Sequence, residues 1–138
     1  MIIKGDDIKK LIPQRDPFMM VDEFERQNES SATSALTIAR GNYFLLPDGM
    51  VSSTGLIEHI AQSCSALAAS LKADADTAPI GMIVEVKNFC CHRRPQLGEL
   101  LQTEVTFGFS FGNMTLAHGV TQIAGETVAE VDLKIFMQ

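Results

Sequence analysis

The chain has 138 residues, of which 46% are hydrophobic and 20% are charged, and its net charge is −6. Such a length and composition predict a single globular domain over residues 1–138 with a buried core. The negative charge excludes a nucleic-acid partner, because nucleic-acid phosphates would be repelled. The sequence has no apolar run of about 18 residues and no signal segment at its start, so we expect a cytoplasmic protein with no membrane partner.

The first predicted element is a short helix or turn over Gly5–Leu11. Two strands are predicted next, over Asp22–Asn28 and Ala32–Ala39, with a polar turn between them. The segment Gly41–Val51 contains several helix and strand breakers and is predicted to be a loop.

The segment Ser52–Lys72 is predicted to be one long helix. Its first residues offer hydroxyl caps, and apolar residues then recur at steps of three and four. The opposite side carries alanine and serine instead of charge, which is typical of a helix enclosed by protein. We expect that one curled sheet cannot cover such a helix on every side, so the sequence predicts a dimer.

A polar connection is predicted over Asp74–Pro79, and four strands follow it. Alternating side chains and turn residues give their ranges as Ile80–Cys91, Leu100–Gly112, Met114–Ile123 and Thr127–Met137. In the second of these strands, Val105, Phe107 and Phe109 are predicted to share one face, opposite Glu104, Thr106 and Gly108. This order of elements predicts an α+β fold in which about six antiparallel strands wrap one long helix.

The three cysteines are Cys64, Cys90 and Cys91, and their spacing is not that of a zinc site. The sequence therefore predicts no metal, and it contains no motif that calls for another cofactor. We expect all three cysteines to be small buried hydrophobic residues in a reducing compartment.

Four stretches of the chain resemble the 3-hydroxyacyl-acyl-carrier-protein dehydratases. The stretches occur in the same order as in that family, and together they span nearly the whole sequence. They are Leu11–Asp22, Gly55–Gln62, Phe89–Glu99 and Gly125–Glu130. The resemblance implies the hotdog fold, in which the sheet wraps the central helix, and the elimination of water from 3-hydroxyacyl thioesters of acyl carrier protein. The chain is also similar to predicted dehydratases of aryl-polyene-type pathways, which implies a role in fatty acid or polyene biosynthesis.

The loop before the central helix departs from this family. The resembling dehydratases carry there a glycine-histidine-phenylalanine-proline motif whose histidine is the catalytic base. In this chain, no residue from Ala39 to Ile57 is histidine. The general base is therefore unassigned, and the candidates are His59, His92 and His118.

The resemblance implies that Glu58 is the catalytic acid or base. Gln62 lies one turn further along the same helix face, where it could orient a hydroxyl group, a water molecule or Glu58 itself. Two structural alternatives stay open, because an acidic residue near a helix N-terminus interacts favourably with the helix dipole and a buried amide can satisfy backbone groups.

The expected substrate-binding residues are Phe18, three residues at the N-terminus of the predicted helix and two arginines. The helix N-terminus would stabilise charge on the thioester oxygen through its amides, and two arginines would guide an acidic carrier protein to the site. The arginines could equally form a solvated turn. The full set is Phe18, Thr54, Gly55, Leu56, Arg93 and Arg94.

Three functions remain open from the sequence. The first is a hydro-lyase that uses Glu58, and the second is a thioester hydrolase in which Glu58 activates water. The third is a non-catalytic subunit that binds acyl carrier protein and pairs with a related active dehydratase. The expected assembly is a homodimer or a heteromer with such a dehydratase.

Overall fold

The structure is a computed structural model that describes residues 1–72 and 79–138. Within these two ranges, the chain forms a seven-stranded antiparallel sheet, one long helix and one short 3-10 helix. The strands are β1 (Ile3–Lys4), β2 (Glu23–Arg26), β3 (Ser31–Thr37), β4 (Gly81–Cys91), β5 (Leu100–Phe111), β6 (Met114–Ile123) and β7 (Glu126–Met137). The 3-10 helix covers Gly5–Lys10, and the long helix, α1, covers Ser53–Ser70.

The strands lie in the order β1-β2-β3-β5-β6-β7-β4, so β4 is an edge strand although it follows α1 in sequence. The predicted α+β architecture is confirmed, and the sheet has one strand more than predicted. The additional strand, β1, has only two residues and is too short to leave an alternating pattern. The connection predicted over Asp74–Pro79 lies outside the described residues except for Pro79.

The helix α1 packs on one face of the sheet and contacts strands β2 to β7. Close approach of helix and sheet depends on a glycine, because a Cβ atom on Gly119 would collide with Ile60. Ile60, Ala66 and Leu67 have no exposed surface. The predicted enclosed helix is therefore confirmed.

The side of α1 that the sheet leaves open is covered by the N-terminal segment of the same chain. Ile8, Leu11, Ile12 and Val21 belong to the same core cluster as the helix. The described chain therefore buries most of α1 by itself, so covering the helix does not require a second copy, and the predicted dimer stays a prediction.

An uncovered apolar surface lies on the edge strand β4. In β4, Met82, Ile83, Val84 and Val86 are each exposed by 39% to 53%. An edge strand also presents unpaired backbone groups, so β4 combines apolar side chains with free pairing capacity.

A bulge in β5 changes the predicted face of one aromatic residue. The register with β6 shifts between Phe107 and Ser110, so the alternation of side chains is broken there. Val105 is buried and Phe107 is half-buried, whereas Phe109 is 68% exposed. The predicted shared face is therefore wrong for Phe109.

The cysteines have three different environments. Cys64 is buried as predicted, and desolvation raises the pKa of its thiol to about 12. Cys90 is exposed, because it pairs with Glu130 on the outer face of the sheet, so its predicted burial is wrong. Cys91 is half-buried.

Among residues 1–72 and 79–138, no helix has the length and apolar character needed to cross a membrane.

Candidate active site

The N-terminus of α1 is fixed by its cap and by the loop beneath it. The Gly55 amide donates to the Ser52 carbonyl at 2.9 Å and to Ser52 Oγ at 3.3 Å. A Cβ atom on Gly55 would lie 2.7 Å from Phe44 Cβ and 2.8 Å from Val51 Cγ1, so only glycine fits without a shift. The predicted thioester-binding amide of Gly55 is therefore already used by the cap.

The two neighbours of Gly55 differ in exposure. The side chain of Leu56 is wholly buried in the core, whereas Thr54 is exposed. The Thr54 hydroxyl lies 3.0 Å from Ser52 Oγ. Of the three predicted binding residues at the helix start, only Thr54 presents its side chain to solvent.

Glu58 is half-buried in the second turn of α1, and its carboxylate is held by Gln62. Gln62 Nε2 donates to Glu58 Oε1 at 3.2 Å. Within the described residues, Glu58 Oε2 has no hydrogen-bond partner. The structure thus brings together the two predicted catalytic residues and leaves one carboxylate oxygen available.

The Gln62 amide is fully used by protein groups. Its Oε1 accepts from the Met20 amide at 2.7 Å, and its Nε2 also donates to the Phe18 carbonyl at 2.8 Å. Gln62 is only 1% exposed. Its geometry suits a residue that positions Glu58 and the backbone of residues 17–20, which we call the strap.

The strap carries an exposed aromatic pair. Phe18 is 46% exposed, and its ring centroid lies 4.5 Å from that of Tyr43. The Tyr43 amide donates to the Pro17 carbonyl at 3.1 Å, which ties the loop before α1 to the strap. Phe18 therefore forms an apolar wall whose backbone is bonded to Gln62.

His59 is hydrogen-bonded to Met20, the last residue of the strap. Because a carbonyl can only accept, His59 Nδ1 carries the proton and donates to the Met20 carbonyl. His59 Nε2 then accepts from the Thr103 hydroxyl at 2.7 Å, and Thr103 Oγ1 lies 2.8 Å from Thr121 Oγ1. Complete burial lowers the pKa of His59 to about 4, so the ring is neutral. Both ring nitrogens are occupied, which removes His59 from the candidates for the general base.

The other two histidines lie outside this cluster. His118 is on the outer face of β6, opposite the face that contacts α1, and its Nδ1 lies 2.7 Å from Asp132 Oδ1. His92 is exposed in the turn after β4, where its amide donates to the Val128 carbonyl at 2.7 Å. In the described part of the chain, no histidine forms a hydrogen bond with Glu58.

The loop that lacks the family histidine forms a tight turn held by Arg94. The Leu46 amide donates to the Met50 carbonyl at 2.9 Å, and Gly49 adopts a φ of 83°. Arg94 Nη1 donates to Asp48 Oδ2 at 2.9 Å, and this bond holds the pKa of the Asp48 carboxyl below its usual range. Arg94 Nε also donates to the Val51 carbonyl at 3.0 Å.

Arg93 is paired in the same way. Its guanidinium donates to both oxygens of Glu99 at 2.9 Å, and this contact lowers the pKa of the Glu99 carboxyl. Arg93 and Arg94 therefore each neutralise a carboxylate and hold a turn. The two carboxylates offset the positive charge of the predicted basic pair, and guidance of an acidic carrier protein by Arg93 and Arg94 stays a prediction.

The sequence did not single out the partners of His59 or the partner of Phe18. A usable signal existed for Thr103, because it is a polar residue between Leu101 and Val105 in the series of β5 that faces α1. A buried hydroxyl in such a series needs a polar partner. No comparable signal exists for Tyr43, which lies in a loop. Within the described ranges, no three His, Cys, Asp or Glu side chains are grouped so that they could hold a metal ion.

The cluster can support proton transfer. A half-buried carboxylate with one oxygen fixed and the other available is suited to general acid or base catalysis. The neighbouring aromatic pair offers an apolar surface for a substrate chain. The chain itself brings no second titratable group into hydrogen-bond contact with this carboxylate in the part that the structure describes.

A central helix wrapped by an antiparallel sheet is the hotdog fold, and in this chain an acidic residue, Glu58, lies near the start of that helix. The family model described as "ApeP-like: ApeP dehydratase" matches residues 6–138. The chain belongs to the ApeP-like dehydratase family, and its enzyme class is that of the hydro-lyases.

A curated relative agrees with this assignment, and solved structures share the fold. A curated 3-hydroxyacyl-[acyl-carrier-protein] dehydratase, FabZ of Halalkalibacterium halodurans, is 27% identical over 132 residues, covering 93% of this chain and 94% of the relative. The dehydratase heterocomplex ApeI:P from Xenorhabdus doucetiae has a TM-score of 0.85 at 17% identity, covering 95% of this chain and 90% of that one. A hypothetical thioesterase with coenzyme A from Streptococcus pneumoniae has a TM-score of 0.64 at 12% identity, covering 83% and 85%. The two structural matches show a shared fold.

Proposed function

We propose that the chain dehydrates 3-hydroxyacyl thioesters of acyl carrier protein, with Glu58 as the catalytic carboxyl group. The observation that carries the proposal is the contact between Glu58 and Gln62, which fixes one carboxylate oxygen and leaves the other available. The FabZ relative supports the substrate class, because its name specifies a 3-hydroxyacyl group on acyl carrier protein.

In this reaction, a base removes the proton from the α-carbon and the β-carbon loses its hydroxyl group as water. Protonated Glu58 donates its proton to the leaving hydroxyl, and a double bond forms between the two carbons. Phe18 then borders the acyl chain together with Tyr43, since the Phe18 carbonyl is bonded to Glu58's partner, Gln62, and the Phe18 ring contacts that of Tyr43.

We infer that the α-proton is removed by a group from a second chain. The support is that both ring nitrogens of His59 are already hydrogen-bonded, while His118 lies on the outer face of the sheet and His92 lies exposed in the turn after β4. The exposed edge strand β4 offers a surface for antiparallel pairing with a related dehydratase that carries the loop histidine. The similar ApeI:P structure is itself described as a heterocomplex.

The compartment that we propose is the cytoplasm. Cys90 is a free and exposed thiol, and Cys91 is free and half-buried. Accessible unpaired thiols are typical of proteins in reducing compartments.

The test is an assay of the purified chain with a 3-hydroxybutyryl thioester, in which enoyl thioester and free thiol are measured together. We expect enoyl product, and we expect Glu58→Gln to lower its rate by about 10² to 10⁴-fold. The matched control is Glu104→Gln, which makes the same change on the exposed outer face. Full activity in Glu58→Gln would overturn the assignment, and thiol release without enoyl product would indicate the hydrolase.

The partner is tested by repeating the assay on the complex purified through a tag on this chain from its source organism. We expect the chain alone to be slow and the complex to be fast, with Glu58→Gln slowing the complex. If the purified chain alone is as fast as the complex, the proposal that the base comes from a second chain is refuted. The assignment of Glu58 as the catalytic carboxyl group would be unaffected. Carrier binding without either product in the chain alone, together with a complex whose enoyl formation is unchanged in Glu58→Gln, would indicate a non-catalytic subunit.

A further inference from the structure

The outer face of the sheet, which points away from α1, changes chemistry from one end to the other. At the end near the β5–β6 turn, the strand register aligns four long apolar side chains in one row across β5, β6, β7 and β4. The row consists of Phe111, Met114, Phe136 and Met82. Residues on the outer face of a sheet are normally polar, so a wholly apolar row is unusual.

The next row extends the apolar surface. Leu116 lies beside the bulge in β5 and is 42% exposed, and the bulge turns Phe109 outward. The Phe109 ring centroid lies 5.8 Å from that of Phe111, which is 61% exposed. We call this surface the outer apolar patch, and its members are Met82, Phe109, Phe111, Met114, Leu116 and Phe136.

The border of the patch carries both signs of charge. Glu85 Oε1 lies 3.6 Å from Lys134 Nζ and 3.5 Å from Lys87 Nζ. One row further, His118 pairs with Asp132. Two carboxylates and two lysines therefore lie along one side of the patch, and their charges balance each other in a chain whose net charge is −6.

Beyond this border the outer face becomes acidic. Glu104 and Glu130 lie in the same row, on either side of Val120. An anionic membrane surface or an acidic carrier protein would need a basic border on the patch, and it would also be repelled by this acidic row.

We propose that the outer apolar patch binds the same patch of a second copy of this chain. In a contact with twofold symmetry, each patch meets itself in reversed orientation, so Lys134 of one copy can face Glu85 of the other. A border of mixed charge is complementary to itself, and the apolar rows cover each other. The contact uses neither Glu58 nor the backbone edge of β4, so it is separate from the proposed catalytic assembly.

The size of the patch sets the strength of the association. Six side chains cover a few hundred Å², which is large for an exposed apolar surface but below the roughly 800 Å² per partner of stable interfaces. The contact is therefore reversible, and its population rises with protein concentration.

The test is sedimentation velocity over a concentration series with two matched variants. Leu116→Asp places a charge in the patch, and Leu100→Asp makes the same change at a residue of almost equal exposure (44% against 42%) at the opposite end of β5. We expect wild type and Leu100→Asp to double their mass as concentration rises, and Leu116→Asp to remain at half that mass. Phe111→Asp gives an independent second variant.

The result is readable whether or not β4 pairs as proposed above. If β4 pairs, the patch converts dimers into tetramers, and if β4 does not pair, it converts monomers into dimers. A wild-type mass that does not change with concentration would overturn the proposal. Loss of association in Leu100→Asp to the same extent as in Leu116→Asp would also overturn it. Binding of wild type, but not of Leu116→Asp, to anionic phosphatidylglycerol vesicles or to acyl carrier protein would assign the patch to that partner and refute self-association.

Discussion

Gln62 donates to Glu58 across one turn of α1, with 3.2 Å between Gln62 Nε2 and Glu58 Oε1. The Gln62 side-chain amide also accepts from the Met20 amide and donates to the Phe18 carbonyl. It therefore bonds both the Glu58 carboxylate and the strap. The orientation of Glu58 is therefore coupled to the position of the aromatic wall. A change at Gln62 must affect both.

Replacing Gln62 by Glu tests this coupling. The new carboxylate keeps an acceptor for the Met20 amide, but it cannot donate to the Phe18 carbonyl and it repels Glu58. We expect the free energy of unfolding to fall by about 1–3 kcal/mol, and the dehydration rate to fall at saturating substrate. Urea unfolding and the enoyl assay measure the two effects. The control is Gln122→Glu on the exposed outer face, and equal behaviour of the two variants would contradict the coupling.

The buried His59 makes stability depend on pH in a predictable direction. Burial lowers its pKa in the folded state to about 4, whereas its ordinary pKa is 6.5. Between these values the unfolded chain binds a proton that the folded chain does not, so stability falls as pH decreases from 6.5 to 4. Above pH 6.5 this residue contributes no pH dependence. The full loss is about 3 kcal/mol near the folded pKa.

The measurement is the free energy of unfolding in urea at about pH 7.5 and about pH 4.5. We expect His59→Gln to lose less stability on acidification than wild type, because glutamine can replace the bonds to Met20 and Thr103 without titrating. His118→Gln, on the exposed face, is the control for a lost histidine. If wild type and His59→Gln respond equally to acid, His59 is not the buried neutral group described above.

Local sequence patterns predicted the elements because each has a clear period. The helix was predicted over Ser52–Lys72 and is observed over Ser53–Ser70, and β6 was predicted over its observed range, Met114–Ile123. Steps of three and four define a buried helix, and alternation with turn residues defines a strand. The exposed Phe109 was missed, because a bulge depends on register with the neighbouring strand.

The contacts of the site were beyond these patterns because they join distant positions. Gln62 and Met20 are 42 residues apart, and Arg94 and Asp48 are 46 residues apart. A pattern within one segment contains no information about such partners. The resemblance implied Glu58, and helix geometry placed Gln62 on the same face. The sequence left open that the Gln62 amide satisfies backbone groups, but it could not identify those groups as the Met20 amide and the Phe18 carbonyl.

Arg94→Lys is expected to loosen the loop before α1. The guanidinium bonds both oxygens of Asp48 and the Val51 carbonyl together, and an ammonium group cannot reproduce this planar set of donors. We expect amide hydrogen exchange at Leu46 and Gly49 to become faster by about tenfold, as local opening becomes easier. The control is Arg93→Lys, which affects the separate pair with Glu99. If amide hydrogen exchange at Leu46 and Gly49 is unchanged in Arg94→Lys, the turn is stable without the bonds from the Arg94 guanidinium.

Gly55→Ala is expected to destabilise the protein although alanine favours helices. The new Cβ atom would lie 2.7 Å from Phe44 Cβ and 2.8 Å from Val51 Cγ1, and both neighbours are held by the loop. Overpacking of this kind costs about 1–3 kcal/mol, which exceeds the gain of about 1 kcal/mol in helix propensity.

The matched control is Gly41→Ala, where no atom lies within 4 Å of the added carbon. Urea unfolding should show a lower free energy for Gly55→Ala and little change for Gly41→Ala. The displaced loop should also alter the amide chemical shifts of Phe44 and Val51 in the first variant alone. If Gly55→Ala is as stable as wild type, the loop does not approach the helix as closely as described, and its backbone can move without cost. In that case the fixed geometry at the start of α1, on which the orientation of Glu58 depends, would also have to be abandoned.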